Sequence, residues 1–472
     1  MKFPRLNTLT FPSLVFAASV LPASAFAQSE ELSASSVEAP AQEAAPAQEA
    51  APAQEAAPAQ EESVFVPTLT ASAPAVVESP AVVESSTLVD EEASTEEAVD
   101  ERRGRARLEQ ALNPIALGTE HVEVGGYIRA AFDSTVNTSS NQADYEGFAL
   151  RNARVHVQSQ YDVSDAFGVG ARIEFDFRQG NASATDAYAS LRFLQDRLQL
   201  HVGQQKNAFA LANMMSDSRR QFAPERENVV TPNMLRGWRD RGLRVDVELP
   251  VGAGFLMWRS SFANGDGQND YRNEDSRFVF STFVDWQPFG EMPLVEADLR
   301  RDGDLLASIG GSAWYTSSIG HSEFGITQPG TSETRYAIHG RLKYRGLSLT
   351  GEYLGIHVEQ LPGADQVLRR GWYAQAGYVL PAPTWPQLEI VARISQTDLD
   401  STRDGFEGTI PDFLVTKTRQ IEAGANLYLV DHRVKLQLLY RHTDLLEGPS
   451  RAADGERFFG DTITVGLQVG AF

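Results

Sequence analysis

The sequence contains no cysteine in its 472 residues. That excludes disulfides, thiolate metal centres and cysteine nucleophiles. It also excludes a lipid-anchored N-terminus, which needs a cysteine there. Long apolar runs are missing too. Leu14 to Val20 is the apolar run near the N-terminus, far short of the ~20 residues that a membrane-spanning helix needs, and no later segment reaches that length. A chain of this kind enters a membrane, if at all, as strands. Lysine is scarce: beyond Lys2 there are only Lys206, Lys343, Lys417 and Lys435. No H-E-x-x-H and no complete G-x-x-x-x-G-K-[ST] is present. Gly346-Leu347-Ser348-Leu349-Thr350 falls one residue short of G-x-S-x-G and sits inside a strand pattern rather than on a strand-to-helix elbow. The residues offer no catalytic constellation, and the expectation is a protein that is not an enzyme and has no cofactor and no metal.

Basic surface is also in short supply. The formal net charge is −22. Residues 28–100 hold sixteen Asp or Glu and no Lys or Arg, so most of the acidity sits in one segment. Binding of nucleic acid needs a basic face to neutralise phosphates, and none is evident.

What is present begins with an export signal. Lys2 and Arg5 form a basic start, the short apolar run follows, and Ala25-Phe26-Ala27 is an A-x-A cleavage site. Residues 1–27 are expected to be a signal peptide. From Pro40 a six-residue repeat places Pro40, Pro46, Pro52 and Pro58 in A-P-A-Q-E contexts. Such spacing breaks helices, and its Ala and Glu cannot build a core. Residues 28–113 are expected to be a disordered, acidic Pro/Ala/Glu-rich linker, either an inert tether or a segment with a periplasmic binding role. A short basic helix over 101–112 carries Arg102, Arg103, Arg105 and Arg107 and stops at Asn113-Pro114.

From about His121 the pattern has period two. Val122, Val124, Ile128 and Phe132 alternate with Glu123, Tyr127, Arg129 and Asp133. Ile173, Phe175 and Phe177 alternate with Arg172, Glu174, Asp176 and Arg178, and Leu243, Val245, Val247 and Leu249 with Arg244, Asp246 and Glu248. One face is apolar and the other charged. Sixteen such segments are expected near 121–134, 147–160, 166–179, 185–194, 197–204, 239–249, 253–262, 276–287, 305–316, 334–345, 346–359, 371–380, 387–398, 417–429, 433–444 and 460–472. Connections alternate between tight turns, such as Arg345-Gly346, and longer loops, with 288–304 a long connection on the short side. Outward aromatics fall near strand ends: Phe132, Phe167, Trp286, Tyr336, Tyr344, Trp372 and Tyr378. This is the signature of an all-β fold, a sixteen-stranded antiparallel transmembrane β-barrel over 114–472 in the bacterial outer membrane, with lipid and lipopolysaccharide as surroundings and the N-terminal segment in the periplasm. A soluble sandwich would share the alternation but pack its apolar faces together. The last strand ends on Phe472, one position out of phase with Ile463, Val465, Leu467 and Val469.

A barrel of this size encloses water rather than a packed core. By parity the lumen is lined by Arg129, Arg154, Arg172, Arg192, Arg244, Arg259, Arg335, Arg341, Lys343 and Arg393. They form either a cationic path for anions or cross-strand pairs with Glu174, Asp176, Asp246, Asp285 and Glu422 that stiffen the wall. His156, His201 and His339 share that face. The longest break, 205–238, contains Lys206, Arg219, Arg220, Arg226 and Arg236. Its length predicts either a functional segment folded into the lumen as a constriction loop or an ordinary outer loop.

Several motifs run in a familiar order. Phe148-Ala149-Leu150-Arg151-Asn152-Ala153-Arg154, Asp186-Ala187-Tyr188, Val202-Gly203-Gln204-Gln205-Lys206-Asn207-Ala208-Phe209, Arg241-Gly242 and Gln287-Pro288-Phe289-Gly290 resemble the corresponding elements of the phosphate-selective porin O and P family. The resemblance spans 121–472. It implies an outer-membrane porin, a homotrimer, that passes small hydrophilic solutes passively and prefers small anions, phosphate or similar. Asn152 stands where the family has a second arginine, Ala208 stands where it has proline, and the family's lysine-rich pathway is thin in this chain. The competing expectation is an outer-membrane anchor that uses the acidic N-terminal segment to engage periplasmic or envelope partners.

Overall fold

The computed structural model describes residues 115–116, 122–137, 145–178, 180–222, 239–270, 273, 278–301, 303–316, 332–359, 367–381, 386–398, 417–447 and 459–471. The signal peptide, the acidic linker, the basic helix over 101–112, Arg226, Arg236 and Phe472 lie outside these residues.

A two-residue strand, β1 (Ile115–Ala116), pairs with β2 (Val122–Asn137). Fifteen further strands follow: β3 (Tyr145–Ser164), β4 (Phe167–Asp176), β5 (Ser183–Phe193), β6 (Leu198–Lys206), β7 (Arg239–Val251), β8 (Gly254–Ala263), β9 (Val279–Gln287) and β10 (Leu306–Thr316). The rest are β11 (Ser332–Tyr344), β12 (Leu347–Glu359), β13 (Val367–Val379), β14 (Gln387–Asp398), β15 (Lys417–Val430), β16 (Val434–Glu447) and β17 (Phe459–Ala471). Each pairs antiparallel with its neighbour in sequence, and β17 returns to β2, from Gly460 opposite Asn137 to Ala471 opposite Gly126. The sixteen strands β2–β17 close into a barrel, so no ladder edge is left open.

The sixteen expected segments coincide with these strands, with ends displaced by a few residues. The largest differences are at β3, which pairs with β4 as far as Ser164 by way of an irregularity near Asp162, and at β13, which starts earlier, at Val367. A second bulge opposite Arg129 and Ala130 inserts Arg151 into β3 and lets it pair with Asp133. Tight turns carry the backbone that their geometry requires. Arg345 and Gly346 both have positive φ, 50° and 92°, as a two-residue type I′ hairpin turn needs.

The alternation turns a belt of apolar residues outward. Ile128, Phe148, Ile173, Leu243, Phe262, Ile309, Ile338, Leu438, Ile463 and Val465 all expose apolar side chains on the outer face. In water such a belt would be a large liability; facing lipid it is the stable arrangement. Aromatics gather toward both ends. Phe132 packs on Phe148 at 5.1 Å and Phe262 on Phe278 at 4.7 Å toward the long loops. Phe167 meets Phe193 at 5.3 Å beside the tight turns, where Trp286, Tyr344 and Tyr378 are also exposed. Among the described residues no helix is long and apolar enough to cross a membrane.

Candidate functional site: a lumen crossed by an infolded segment

After β6 the chain does not stay at the loop end. Residues 207–222 turn into the barrel. Its first residues, Ala208-Phe209-Ala210-Leu211, are apolar and fully buried against the inner wall. Phe209 meets Trp314 at 6.0 Å, and Leu211, Met214 and Met215 cluster with Met257 and Phe283. Backbone N–H groups of the segment find acceptors on the wall. Ala208 donates to Ser261 Oγ at 3.0 Å and Ala210 to Ser312 Oγ at 3.0 Å. Leu211 and Ala212 donate to the Glu352 carboxylate at 2.5 and 3.1 Å, at the start of a single helical turn, Leu211–Met214. Lys206 Nζ closes the other end of that turn, donating to the carbonyls of Asn213 and Met215 at 2.8 Å each.

The segment then reaches the far side. Arg129 donates to the Asp217 carbonyl at 2.5 Å, and Arg154 pairs with the Asp217 carboxylate at 2.9 Å. Gln468 donates to Ser218 O at 2.9 Å, and Lys435 to Arg220 O at 2.5 Å. Gln221 donates to Glu389 at 2.5 Å and to Ser348 at 2.8 Å, and accepts from Asn426 and Gln437 at 2.9 and 2.8 Å. Its amide lies so close over Gly377 that a Cβ there would sit 2.0 Å from Gln221 Nε2. The segment is therefore tied to the inner faces of strands all round the barrel rather than projecting as an outer loop.

All ten lumen cations expected from parity face inward, and most of their charge is met by the wall. Arg172 pairs with Glu174 at 2.7 Å, Arg244 with Asp246 at 2.7 Å, Arg341 with Asp285 at 2.6 Å and Arg393 with Glu422 at 2.5 Å. Arg192 pairs with Asp162, Arg335 with Glu333, and Arg259 with Asp246 at 3.5 Å. Arg154 touches Asp176, Glu174 and Asp217, Arg129 binds Gln468 Oε1, and Lys343 donates to Ala297 O at 2.9 Å. The ten differ in how far they are exposed. On β9–β17 Arg335, Arg341, Lys343 and Arg393 are buried, whereas Arg441 is 20% exposed. On β3–β8 the inner wall keeps accessible cations: Arg172 is 26% exposed and Arg259 17%. Gln158, Gln160, Ser190, Arg192 and His201 line a small polar recess on the same wall.

Of the cations expected on the constriction loop, Lys206 and Arg220 are consumed internally, whereas Arg219 is exposed. His156, His201 and His339 are inward and buried; His339 is held by Asp285 at 2.9 Å and stacks on Phe283. Glu352, Gln221 and Glu389 fix the infolded segment. Parity places the two carboxylates on the inward face, but nothing local in the sequence marks any of the three as an anchor. Among the described residues no cluster of three or more His, Asp or Glu is placed to hold a metal ion.

A closed antiparallel barrel of sixteen strands, apolar outside, polar inside and crossed by an infolded segment, is a porin-type barrel. Solved structures agree on the fold. The chain is similar to the anion-selective porin from Comamonas acidovorans, at 11% identity over 74% of this chain and 99% of that one, with a TM-score of 0.50. It is equally similar to the OprB protein of Pseudomonas putida in its high-pH structure, at 10% identity over 74% of this chain and 94% of that one, TM-score 0.50. No protein-family model matches the chain. No curated protein matches it either.

Proposed function

We propose that this protein is an outer-membrane channel that passes small hydrophilic solutes down their gradient, with a preference for anions such as phosphate. The observation that carries the reading is the infolded segment: residues 207–222 narrow a lumen whose wall is polar, beside accessible arginines at 172, 219 and 259. An inward loop in a water-filled barrel sets pore width, and accessible guanidinium groups along the residual path favour anions. The name of the Comamonas porin is consistent with this preference. The scarcity of lysine and the pairing of most arginines argue for a modest preference rather than a phosphate-specific one. Residues 1–27 act as a signal peptide, 28–113 as a periplasmic linker, and the barrel assembles as a trimer.

The test is electrical. Purified protein in planar bilayers gives stepwise currents, and the reversal potential in a salt gradient reports anion preference. Arg172→Gln, Arg219→Gln and Arg259→Gln together lower the anion-to-cation permeability ratio. An unchanged ratio sinks the assignment of these residues; a barrel that inserts and never conducts sinks the channel. The second reading, an anchor, draws on the burial of Arg335, Arg341, Lys343 and Arg393 on the β9–β17 inner face. It predicts that deleting residues 28–100 abolishes the envelope phenotype, whereas a channel keeps its conductance.

A further inference from the structure

The connection between β9 and β10, residues 288–305, is long where its described neighbours on the tight-turn side are short. It also folds inward. Arg341 donates to Pro293 O at 2.9 Å and Lys343 to Ala297 O at 2.9 Å. Gly346 N donates to Asp298 at 2.6 Å, Gln387 to Leu299 O at 2.9 Å, and Arg301 to Val379 O. Met292, Glu296 and Ala297 are buried. The insertion is pinned to β11, β13, β14 and the Arg345–Gly346 turn, so it lies within the turn-side mouth.

There it meets the segment that enters from the opposite mouth. Glu296 is the joint. Its carboxylate accepts the Gln221 N–H at 2.6 Å and lies 3.7 Å from the Arg220 guanidinium, and its own N–H donates to Arg219 O at 3.4 Å. A second contact is apolar: Leu294 packs against the cluster of Leu211, Met214, Met215, Met257 and Phe283. A buried carboxylate with a backbone donor and a guanidinium is worth keeping only if both partners stay in place, because removing one leaves a charge unmet.

We propose that residues 288–301 are a second constriction element and that Glu296 clasps it to the first, so that the minimum pore width is set by the pair rather than by the infolded loop alone. The inference rests on the channel reading. The insertion is held by β11, β13, β14 and the Arg345–Gly346 turn, and the loop by β2, β3, β8, β10, β12 and β14–β17. Neither can move toward the wall while the clasp holds.

The absence of native cysteine makes a direct test available. The Glu296 N–H to Arg219 O hydrogen bond puts the backbones of the two segments in contact at this pair. The full-length double variant Arg219→Cys, Glu296→Cys is measured in planar bilayers oxidised and then reduced in the same bilayer. The bond forms in the folded barrel, and reduction raises unitary conductance by roughly twofold or more, because the clasp is then absent. Glu296→Gln, which keeps the shape, gives a smaller rise with more current noise, and heat-modifiable migration on gels shows that the barrel is intact. Failure of the disulfide to form in the folded barrel overturns the proposal. So does an unchanged conductance on reduction while the wild type conducts. A wild type that never conducts overturns the channel reading, and this inference with it; a disulfide that still forms then identifies the channel reading as the failure.

Discussion

Glu352→Ala should release the first part of the infolded segment. In the wild type its carboxylate takes two backbone N–H groups, from Leu211 at 2.5 Å and Ala212 at 3.1 Å, and the Tyr373 hydroxyl at 3.2 Å. These donors are buried, and water does not replace the carboxylate without opening the segment. Hydrogen bonds to a charged group contribute about 1.5–3 kcal/mol each, and orphaned buried donors add to the loss. The terms share one acceptor and are not additive, so a total near 3–5 kcal/mol is reasonable. At ~1.4 kcal/mol per factor of ten, docking of residues 208–215 weakens by about 10² to 10³ or more. The assay is amide hydrogen exchange in detergent. Exchange at Leu211–Met214 should accelerate by about that factor, while strand amides such as those of β15 are unchanged. Glu352→Gln keeps one acceptor oxygen and should fall between. Equal protection in wild type and Glu352→Ala would mean that the segment is held by its other contacts, and the anchoring argument would be wrong.

Three further outcomes follow from particular contacts. Gly377→Ala puts a methyl 2.0 Å from Gln221 Nε2 and 2.6 Å from Glu389 Oε1, so the far end of the infolded segment is displaced at a cost of about 1–3 kcal/mol, read as faster exchange at Gln221 and a changed unitary conductance. Ala210 holds φ at 60°, a conformation that favours glycine, so Ala210→Gly should tighten the segment by about 1 kcal/mol and slow its exchange roughly fivefold. His432, in the turn between β15 and β16, has both ring nitrogens buried without hydrogen bonds; burial, then the charges of Lys435, Lys343, Arg219 and Arg129, hold its pKa well below the usual 6.5. The folded state therefore binds fewer protons than the unfolded chain below about pH 6.5, and stability is lost as pH falls through that range. Urea midpoints taken between about pH 8 and pH 5 should fall for the wild type and flatten for His432→Gln; parallel curves would remove His432 as the cause.

Much of the barrel was legible because its physics is local. A strand between lipid and water alternates residue by residue, so Ile173, Phe175 and Phe177 declare one face and Arg172, Glu174 and Asp176 the other. Turn chemistry is local as well, and Arg345-Gly346 announces a two-residue hairpin. The inward placement of all ten cations needed nothing beyond parity. What parity cannot give is which cation remains accessible. Arg172 and Arg393 look equivalent in sequence, yet one borders open lumen and the other lies buried over the Phe222 ring, 4.1 Å from its centroid.

The sequence by itself determined the class of structure: strand number, facing, the asymmetry of turns and loops, and the existence of a long break after β6. Each of these is written in neighbours a few residues apart. Only the tertiary structure decided where the two long connections go. Gln221 meets Glu389, and Glu296 meets Arg220, across 168 and 76 residues of chain, respectively, because closure of the barrel brings its opposite walls together. Contacts of that separation leave no periodic trace, since either partner would be an ordinary polar residue in any other surroundings. The cysteine-free, lysine-poor composition narrowed what the protein could be; the folding of two segments into one lumen decided which of its charges are buried.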